Sequence, residues 1–274
     1  MNVLLTGANG FIGRNLGRFL EEKEINVFKV SRDVVDLADE FSVSDFVNTF
    51  KQRIDVVLHL AFKLASVDQT KEEQLDGFYD NLRITNSIIK IADIVKPKKI
   101  INFSSMAVYP NVNGVFSETS EICPSVNTEG MYGIAKFMAE NLMSLNLKDI
   151  EILHLRLAQV YGEGMRQDRI VSIMKKELEE KNSITVFGLG ERTSCFIRID
   201  KFCKIIYDLM HTDVDGIFNV GDENISYYDL AKRIISKYGN SQSKILKVKE
   251  GSKSRFFLDC SKLSQIHRDD IPLG

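Results

Sequence analysis

Three glycines near the start of the chain restrict its fold more than any other feature. Gly7, Gly10 and Gly13 stand between the apolar run 3–5 and the segment 11–23, which has helical periodicity. In such a strand–turn–helix unit the first glycine permits a tight turn, the second lets the backbone approach a pyrophosphate, and the third lets the helix pack closely. Free N–H groups at the helix N-terminus can then bind the anion. The pattern predicts a dinucleotide site, with a purely structural glycine turn as the alternative.

Apolar strands alternate with helices through the first half of the chain. Further strands are predicted at 25–30, 55–61, 99–105, 150–158 and 216–221. Further helices are predicted at 41–52, 72–95, 129–141, 168–181 and 226–239, the second of these ending before Pro97 and the last capped by Ser226. Strands that are apolar on both faces indicate a parallel sheet covered by helices on both sides. We therefore expect a doubly wound α/β fold.

The second half of the chain is less regular and predicts a smaller lobe woven back into the sheet. We expect a dinucleotide-binding domain of residues 1–158 with 196–221. The substrate lobe would comprise residues 159–195 with 222–274.

Composition excludes several classes of function. With 36 basic and 38 acidic residues the formal net charge is −2, so we expect no binding to nucleic acid or to a membrane surface. The four cysteines lie far apart and the histidines lack ligand spacing, which predicts free thiols, no metal site and a cytoplasmic protein. The N-terminus lacks signal-peptide features, and no apolar run approaches the ~20 residues that span a bilayer.

Three side chains form a candidate catalytic group. Tyr132 and Lys136 lie one helical turn apart, and Ser105 ends a predicted parallel strand, at the sheet edge where such folds bind ligands. The phenol of Tyr132 could exchange a proton with a sugar hydroxyl during hydride transfer, provided that its pKa falls from about 10. The charge of Lys136, together with the positive nicotinamide ring of an oxidised dinucleotide, is the expected cause of that fall. The alternative is an exposed Tyr/Lys pair on a capped helix.

Several motifs in sequence order give the chain a recognisable pattern. TGANGFIG (6–13) and YGIAK (132–136) resemble the extended short-chain dehydrogenase/reductases, and more narrowly the NAD-dependent epimerase/dehydratase family that acts on nucleotide sugars. The other matching motifs are DVVLHLA at 55–61, YDNLRITNSII at 79–89, FSSMAVYP at 103–110, LRLAQVYGEG at 155–164 and GIFNVGDENISYYDLA at 216–231. The resemblance implies a Rossmann fold and an NAD(P)-dependent enzyme.

The same resemblance implies roles for individual residues. Tyr132 would be the acid/base, Lys136 would hold the ribose and tune Tyr132, and Ser105, rather than the adjacent Ser104, would bind the sugar hydroxyl. The implied cofactor-binding residues are Gly7, Asn9, Gly10, Phe11, Ile12, Gly13, Arg14, Ser31, Arg32, Asp36, Leu37, Leu60, Ala61, Asn81 and Lys136. The implied substrate-binding residues are Ser105, Met106, Gln159, Arg192 and Arg198.

The chain departs from the family pattern in two places. Sugar-nucleotide 4,6-dehydratases carry an Asp-Glu pair where Met106 and Ala107 stand here, and neither of these can move a proton. Dehydration of that type is therefore not expected. Ser194 replaces the arginine that normally pairs with the nucleotide diphosphate, so Arg192 or Arg198 would have to substitute for it.

The end of the second strand bears on the choice of cofactor. An NAD site would place Asp or Glu there for the ribose 2′-hydroxyl, whereas Ser31 cannot repel a 2′-phosphate and Arg32 can pair with one. Arg14 could reinforce that pairing. NADP is therefore favoured over NAD, with Asp33 turning inward as the alternative.

We expect an enzyme that acts on a nucleotide sugar, either a 4-ketoreductase or an epimerase. In the epimerase the cofactor would stay tightly held throughout the reaction. A non-catalytic dinucleotide-binding regulator is the alternative from another class, and a homodimer is retained as a candidate assembly.

Overall fold

Six parallel strands form the centre of the molecule, and smaller sheets flank them. The computed structural model describes residues 1–64, 69–127 and 129–266. The strands, in chain order, are β1 Asn2–Thr6, β2 Asn26–Val30, β3 Val56–His59, β4 Lys99–Ser105, β5 Gly114–Phe116, β6 Glu151–Leu157, β7 Gln159–Tyr161, β8 Ser183–Val186, β9 Thr193–Arg198, β10 Gly216–Val220, β11 Glu223–Ser226, β12 Lys244–Lys247 and β13 Phe256–Leu258. The helices are α1 Phe11–Glu22, α2 Glu40–Thr49, α3 Lys71–Val95, α4 Gly130–Asn146, α5 Ile170–Lys181, α6 Ile199–Met210, α7 Tyr227–Tyr238 and α8 Ser261–Ile266.

The order of the central strands is β2-β1-β3-β4-β6-β10, and every neighbouring pair is parallel. The chain runs from β1 to β2 on one side and then crosses over to β3 on the other side of β1. Ligands of open α/β sheets bind in the crevice at such a reversal, beyond the carboxyl ends of the strands. The topology therefore predicts a ligand-binding crevice between the loops that follow β1 and β3.

Helices cover both faces of the central sheet, which confirms the doubly wound α/β fold. One core contains Leu16 from α1 and Phe202 from α6, and these two helices pack against each other. The opposite core contains Ile88 from α3 and Met143 from α4. Because strands such as β1 bury their side chains on both faces, their apolar runs are unbroken in the sequence.

The helix boundaries follow local chemistry. Thr70 and Glu73 form a capping box at the start of α3, and Lys96 ends that helix in the left-handed conformation just before Pro97. The Ser226 hydroxyl accepts a hydrogen bond from the Asp229 amide at 3.0 Å, which confirms the predicted cap of α7. In the described ranges no helix has both the length and the apolar character needed to cross a membrane.

Three small sheets are formed largely by the second half of the chain. They are β7-β9-β11, β8-β12 and β5-β13. The chain then returns to the central sheet, where β10 pairs with β6, so the smaller lobe is interwoven. The division into residues 1–158 with 196–221 and 159–195 with 222–274 stays a prediction.

Candidate active site

One cavity of about 850 Å³ lies beyond the carboxyl ends of the central strands. It brings together most of the residues that the sequence indicated. These are Gly7, Gly10, Phe11, Ile12, Gly13, Arg14, Ser31, Arg32, Asp36, Leu37, Leu60, Ala61, Ser105, Met106, Tyr132, Lys136, Gln159 and Arg192. Asn9, Asn81 and Arg198 do not line it.

The glycine loop has the close backbone approach that a dinucleotide site requires. Gly7 has a φ of +67°, and a Cβ on it would lie 2.8 Å from the amide nitrogen of Ala61. A Cβ on Gly13 would lie 2.2 Å from the carbonyl oxygen of Gly7. No side chain caps the N-terminus of α1, so the first amides of that helix remain available to an anion. The loop therefore fits a pyrophosphate.

The far end of the cavity carries basic side chains beside β2. Arg32 lines it and has no hydrogen bond or ion pair within the part of the chain that the structure describes. Arg14 also lines it and donates from Nη1 to the carbonyl oxygen of Asn9. The Asn9 amide faces Asp33 at 3.4 Å, outside the cavity. Asn9 therefore supports the loop instead of facing the ligand space.

The three candidate catalytic side chains converge where β4 meets α4. Tyr132 and Ser105 both line the cavity there, and the Ser105 Oγ accepts a hydrogen bond from the Ala107 amide at 3.1 Å. Lys136 donates from Nζ to the carbonyl oxygen of Phe103 at 2.6 Å, and its Nζ lies 5.7 Å from the centre of the Tyr132 ring. A hydroxyl, a phenol and an amine thus share one wall of the cavity.

Phe62 packs against both members of the Tyr/Lys pair. Its ring lies over the Lys136 ammonium, with 3.7 Å between Nζ and the ring centre. It also meets the Tyr132 ring edge-on at 5.7 Å between centres. No sequence pattern predicts this contact, although Phe62 directly follows the predicted cofactor residues Leu60 and Ala61.

The pKa values of the pair differ from the sequence-based expectation. Burial raises the pKa of Tyr132 well above its ordinary value, and the Glu129 carboxylate raises it further, while Arg169 and the Ser105 hydrogen bond oppose that rise. Burial lowers the pKa of Lys136 from 10.5 to about 7, and the charge of Glu140 opposes this fall. The predicted lowering of the Tyr132 pKa is therefore absent from the chain alone, because desolvation outweighs the nearby charge.

Ser104 belongs to a buried network behind the site. Its hydroxyl donates to Glu140, which forms an ion pair with Arg156 at 2.8 Å. Arg156 also donates to the Tyr109 hydroxyl at 3.0 Å, and that hydroxyl donates to the Asn219 side-chain oxygen at 2.8 Å. The Glu140 and Arg156 side chains are 3% and 2% exposed, so each charge depends on the other for compensation. Because the Ser104 hydroxyl is committed to Glu140, Ser105 is the better candidate for substrate contact.

Asn81 acts on the cavity wall instead of facing the ligand space. Its side-chain oxygen accepts from the Lys63 amide at 2.7 Å, and its amide donates to the Lys63 carbonyl at 3.0 Å. Both polar ends of the buried amide are therefore occupied by the loop that follows β3. Direct cofactor contact by Asn81 stays a prediction.

Only one of the two candidate substrate arginines lines the cavity. Arg192 lines the cavity, with its guanidinium carbon 5.2 Å from the centre of the Tyr227 ring. Arg198 lies outside the cavity and is paired with Asp200, so its predicted substrate role is not supported. Gln159 donates to the Ser194 hydroxyl at 2.8 Å. Ser194 occupies the position where the family arginine would stand.

Two charged residues beside Tyr132 were not predicted from the sequence. Glu129 and Arg169 line the cavity and form an ion pair at 3.3 Å. Glu129 lies three residues before Tyr132, a spacing that could have drawn attention to it. Arg169 lies 40 residues further along the chain, and no local pattern links it to the site.

Comparison with known proteins gives a consistent family. The model of the NAD dependent epimerase/dehydratase family matches residues 3–221. The dTDP-D-glucose 4,6-dehydratase of Dictyostelium discoideum is 24% identical over 267 residues, which cover 85% of this chain and 61% of that protein. The chain thus spans about three fifths of that relative's length. The dTDP-4-dehydro-6-deoxyglucose reductase of Escherichia coli is 26% identical over 262 residues, covering 85% of this chain and 80% of the reductase.

A solved structure has the same fold. The UDP-glucuronic acid 4-epimerase from Bacillus cereus, in complex with UDP-glucuronic acid and NAD, superposes with a TM-score of 0.79 at 24% identity. The match covers 100% of this chain and 95% of the epimerase chain. Because the family model spans most of the sequence, including the glycine loop and the Tyr132 helix, the chain belongs to the NAD-dependent epimerase/dehydratase family.

Proposed function

We propose that the protein is a nucleotide-sugar 4-ketoreductase that uses NADPH. The observation that carries this proposal is the convergence of Ser105, Tyr132 and Lys136 on one wall of the cavity. A reductase needs a phenol that still holds its proton when the carbonyl oxygen becomes negative. The raised pKa of Tyr132 supplies that form at neutral pH. A phenol of ordinary pKa would also hold its proton at neutral pH, so the preference for reduction over epimerisation rests on the basic side chains beside β2, which favour NADP.

A reduced dinucleotide bound along the glycine loop would supply the hydride for the keto carbon. Tyr132 donates its proton to the oxygen of that carbon, which yields the alcohol, and the phenolate takes a proton back from solvent. Ser105 holds the same oxygen, and Lys136 orients the site through its bond to the Phe103 carbonyl. Met106 and Ala107 line the cavity without a titratable group, which argues against the dehydratase reaction named for the Dictyostelium relative.

Two basic regions support the choice of ligands. Arg32 and Arg14 at the β2 end favour the 2′-phosphate of NADP, because Arg32 has no anionic partner among the described residues. Arg192 is the counterpart for the nucleotide diphosphate, since Arg166 and Arg169 in the same cavity already have acidic partners. The substrate class proposed for this chain follows the names of its relatives.

Incubation with dTDP-4-dehydro-6-deoxyglucose, the substrate named for the Escherichia coli relative, tests the proposal. We expect NADPH to be consumed in equal amount to the sugar nucleotide, and Tyr132→Phe to turn over at least ~10²-fold more slowly. Tightly held cofactor with interconversion of two epimers would instead identify an epimerase. Cofactor binding without turnover of any keto-sugar or epimer pair would favour the regulator.

A further inference from the structure

Cys195 and Cys260 meet in a second cavity, of about 440 Å³, that the reaction described above does not use. Both side chains line it, and both are free thiols. A Cβ on Gly221 would lie 2.4 Å from the Cys195 Sγ and 3.2 Å from the Cys260 Sγ. Two atoms that lie so near one point cannot be further apart than the sum of these distances. The fold therefore holds the two sulfurs close together.

Strand β9 separates the second cavity from the candidate active site. Successive side chains of a strand point to opposite faces. Ser194 and Phe196 accordingly line the active-site cavity, while Cys195, between them, lines the second one. β13 divides the two cavities in the same way, with Phe256 on one side and Phe257 on the other. A covalent bond at Cys195 would therefore be made on the strand that forms the substrate wall.

Hydrogen bonds fix the backbone on either side of the two thiols. Cys260 follows β13 directly, and the Asn224 side chain holds that strand, donating to the Leu258 carbonyl at 2.9 Å and accepting from the Leu258 amide at 2.8 Å. The Thr193 hydroxyl of β9 donates to the Phe256 carbonyl at 2.9 Å. Because the two backbones are already joined, side-chain rotation can bring the sulfurs to the bonding distance of about 2 Å.

We propose that Cys195 and Cys260 form a redox modification site, at which an oxidant of the peroxide class produces a disulfide between β9 and the start of α8. The partly exposed Cys260 reacts first: its thiolate takes an oxygen atom from hydrogen peroxide and becomes a sulfenic acid, and hydroxide leaves. The buried Cys195 then attacks that sulfur, so that the S–S bond forms and water leaves. Two thiols and one peroxide thus give one disulfide and two waters. This chemistry does not depend on the ketoreductase function.

The surroundings of the thiols determine how the site reacts. The neighbouring Cys195 thiol and burial both raise the pKa of Cys260, so little thiolate is present at neutral pH and the first step is slow. The second step is favoured, because a sulfenic acid beside a thiol condenses with it before further oxidation. The described ranges contain no group of three metal-ligating side chains, so a metal site does not account for the pair.

Peptide mass spectrometry after treatment with hydrogen peroxide tests the proposal. Remaining thiols are blocked with N-ethylmaleimide before digestion, and we expect two peptides joined through Cys195 and Cys260 that dithiothreitol separates. Cys260→Ser should abolish this product. Cys123→Ser removes another partly exposed thiol and should leave the yield unchanged. If both thiols stay free, or Cys260 becomes a sulfinic acid without any disulfide, the proposal is overturned.

Thermal unfolding distinguishes a disulfide that fits the native packing from one that traps a distorted chain. The bond would close a loop of about 65 residues, which restricts the unfolded chain. The melting temperature of the peroxide-treated wild type should therefore lie about 5–10 °C above that of the reduced protein. Peroxide treatment of Cys260→Ser should produce no rise. A fall in the melting temperature when the disulfide forms would show that the native fold does not hold the sulfurs ready to bond.

Discussion

The ring of Phe62 lies over the ammonium group of Lys136, 3.7 Å from Nζ to the ring centre, and both residues line the cavity. A ring over a cation favours the charged form by about 0.5–2 kcal/mol, whereas the fall of the Lys136 pKa from 10.5 to about 7 shows that loss of water dominates. Phe62→Ala should admit water and raise the pKa of Lys136 toward its ordinary value. The midpoint of the pH profile for acetylation of Lys136, followed by mass spectrometry, measures this. Leu64→Ala, in the same loop, should leave it unchanged.

Gly133, which has no side chain, allows α4 to pack closely against the turn after β4. A Cβ on Gly133 would lie 2.2 Å from the carbonyl oxygen of Ala107, so Gly133→Ala must push the helix away from Ser105. We expect kcat to fall by up to ~10²-fold and the free energy of unfolding to fall by about 1–3 kcal/mol. Gly130→Ala is the matched control on the same helix, since its Cβ would meet nothing closer than 3.4 Å. Equal losses in both variants would contradict the contact argument.

The preference for NADP can be reversed at the end of β2. Ser31→Asp places a carboxylate beside the expected 2′-phosphate, and like charges at close range cost several kcal/mol. NADP affinity should fall at least ~10-fold while NAD affinity is kept or improved. Titration of both cofactors by calorimetry tests this, with Arg32→Ala as the complementary variant. A wild-type protein that prefers NAD by tenfold or more would refute the role given to Arg32.

Two nearby arginines provide a matched pair for the diphosphate contact. Arg192→Met should raise the KM for the nucleotide sugar by about 10–100-fold, the value of a charged hydrogen bond. Arg198→Met should leave KM unchanged, because that guanidinium is paired with Asp200 outside the cavity. Steady-state kinetics with saturating cofactor distinguishes the two. A larger rise of KM in Arg198→Met than in Arg192→Met would show that Arg198 contacts the diphosphate instead.

Stability should decline in mild acid because of buried neutral histidines. Burial lowers the pKa of His154 from 6.5 to about 4, and that of His59 to about 3. As the pH falls, these two histidines are therefore protonated in the unfolded chain at a higher pH than in the folded chain. The contribution of each neutral histidine to the free energy of unfolding is fully present above about pH 6.5. It is lost as the pH falls toward 4, by about 2–3 kcal/mol for each histidine. Urea unfolding at pH 8, 6 and 5 measures the slope, and His154→Gln should flatten it.

Much of the fold could be predicted from the sequence because the signals for these elements are local. The glycine loop, the stop at Pro97 and the Ser226 cap each depend on a few neighbouring residues, and each appears where predicted. The short strands depend on distant partners instead. Gly114–Phe116 pairs with Phe256–Leu258 across about 140 residues, and neither segment carries a pattern of its own.

The site was less predictable wherever burial decides the outcome. The positions of Tyr132 and Lys136 follow from helical spacing, but the direction of their pKa shifts depends on how much water reaches them. Asn81 lies on the expected helix, yet the Lys63 backbone occupies both ends of its amide. Arg198 ends β9 only two residues from its partner Asp200, a local pairing that the family motif does not reveal.

The buried ion pair of Glu140 with Arg156 has a consequence for chimaeric enzymes. It links the middle of α4 to β6, and through Tyr109 and Asn219 to β10, so the orientation of the helix is tied to the sheet beneath it. A graft of α4 alone into a relative would bury an unmatched carboxylate. Residues 104, 109, 140, 156 and 219 should therefore be transplanted as one unit.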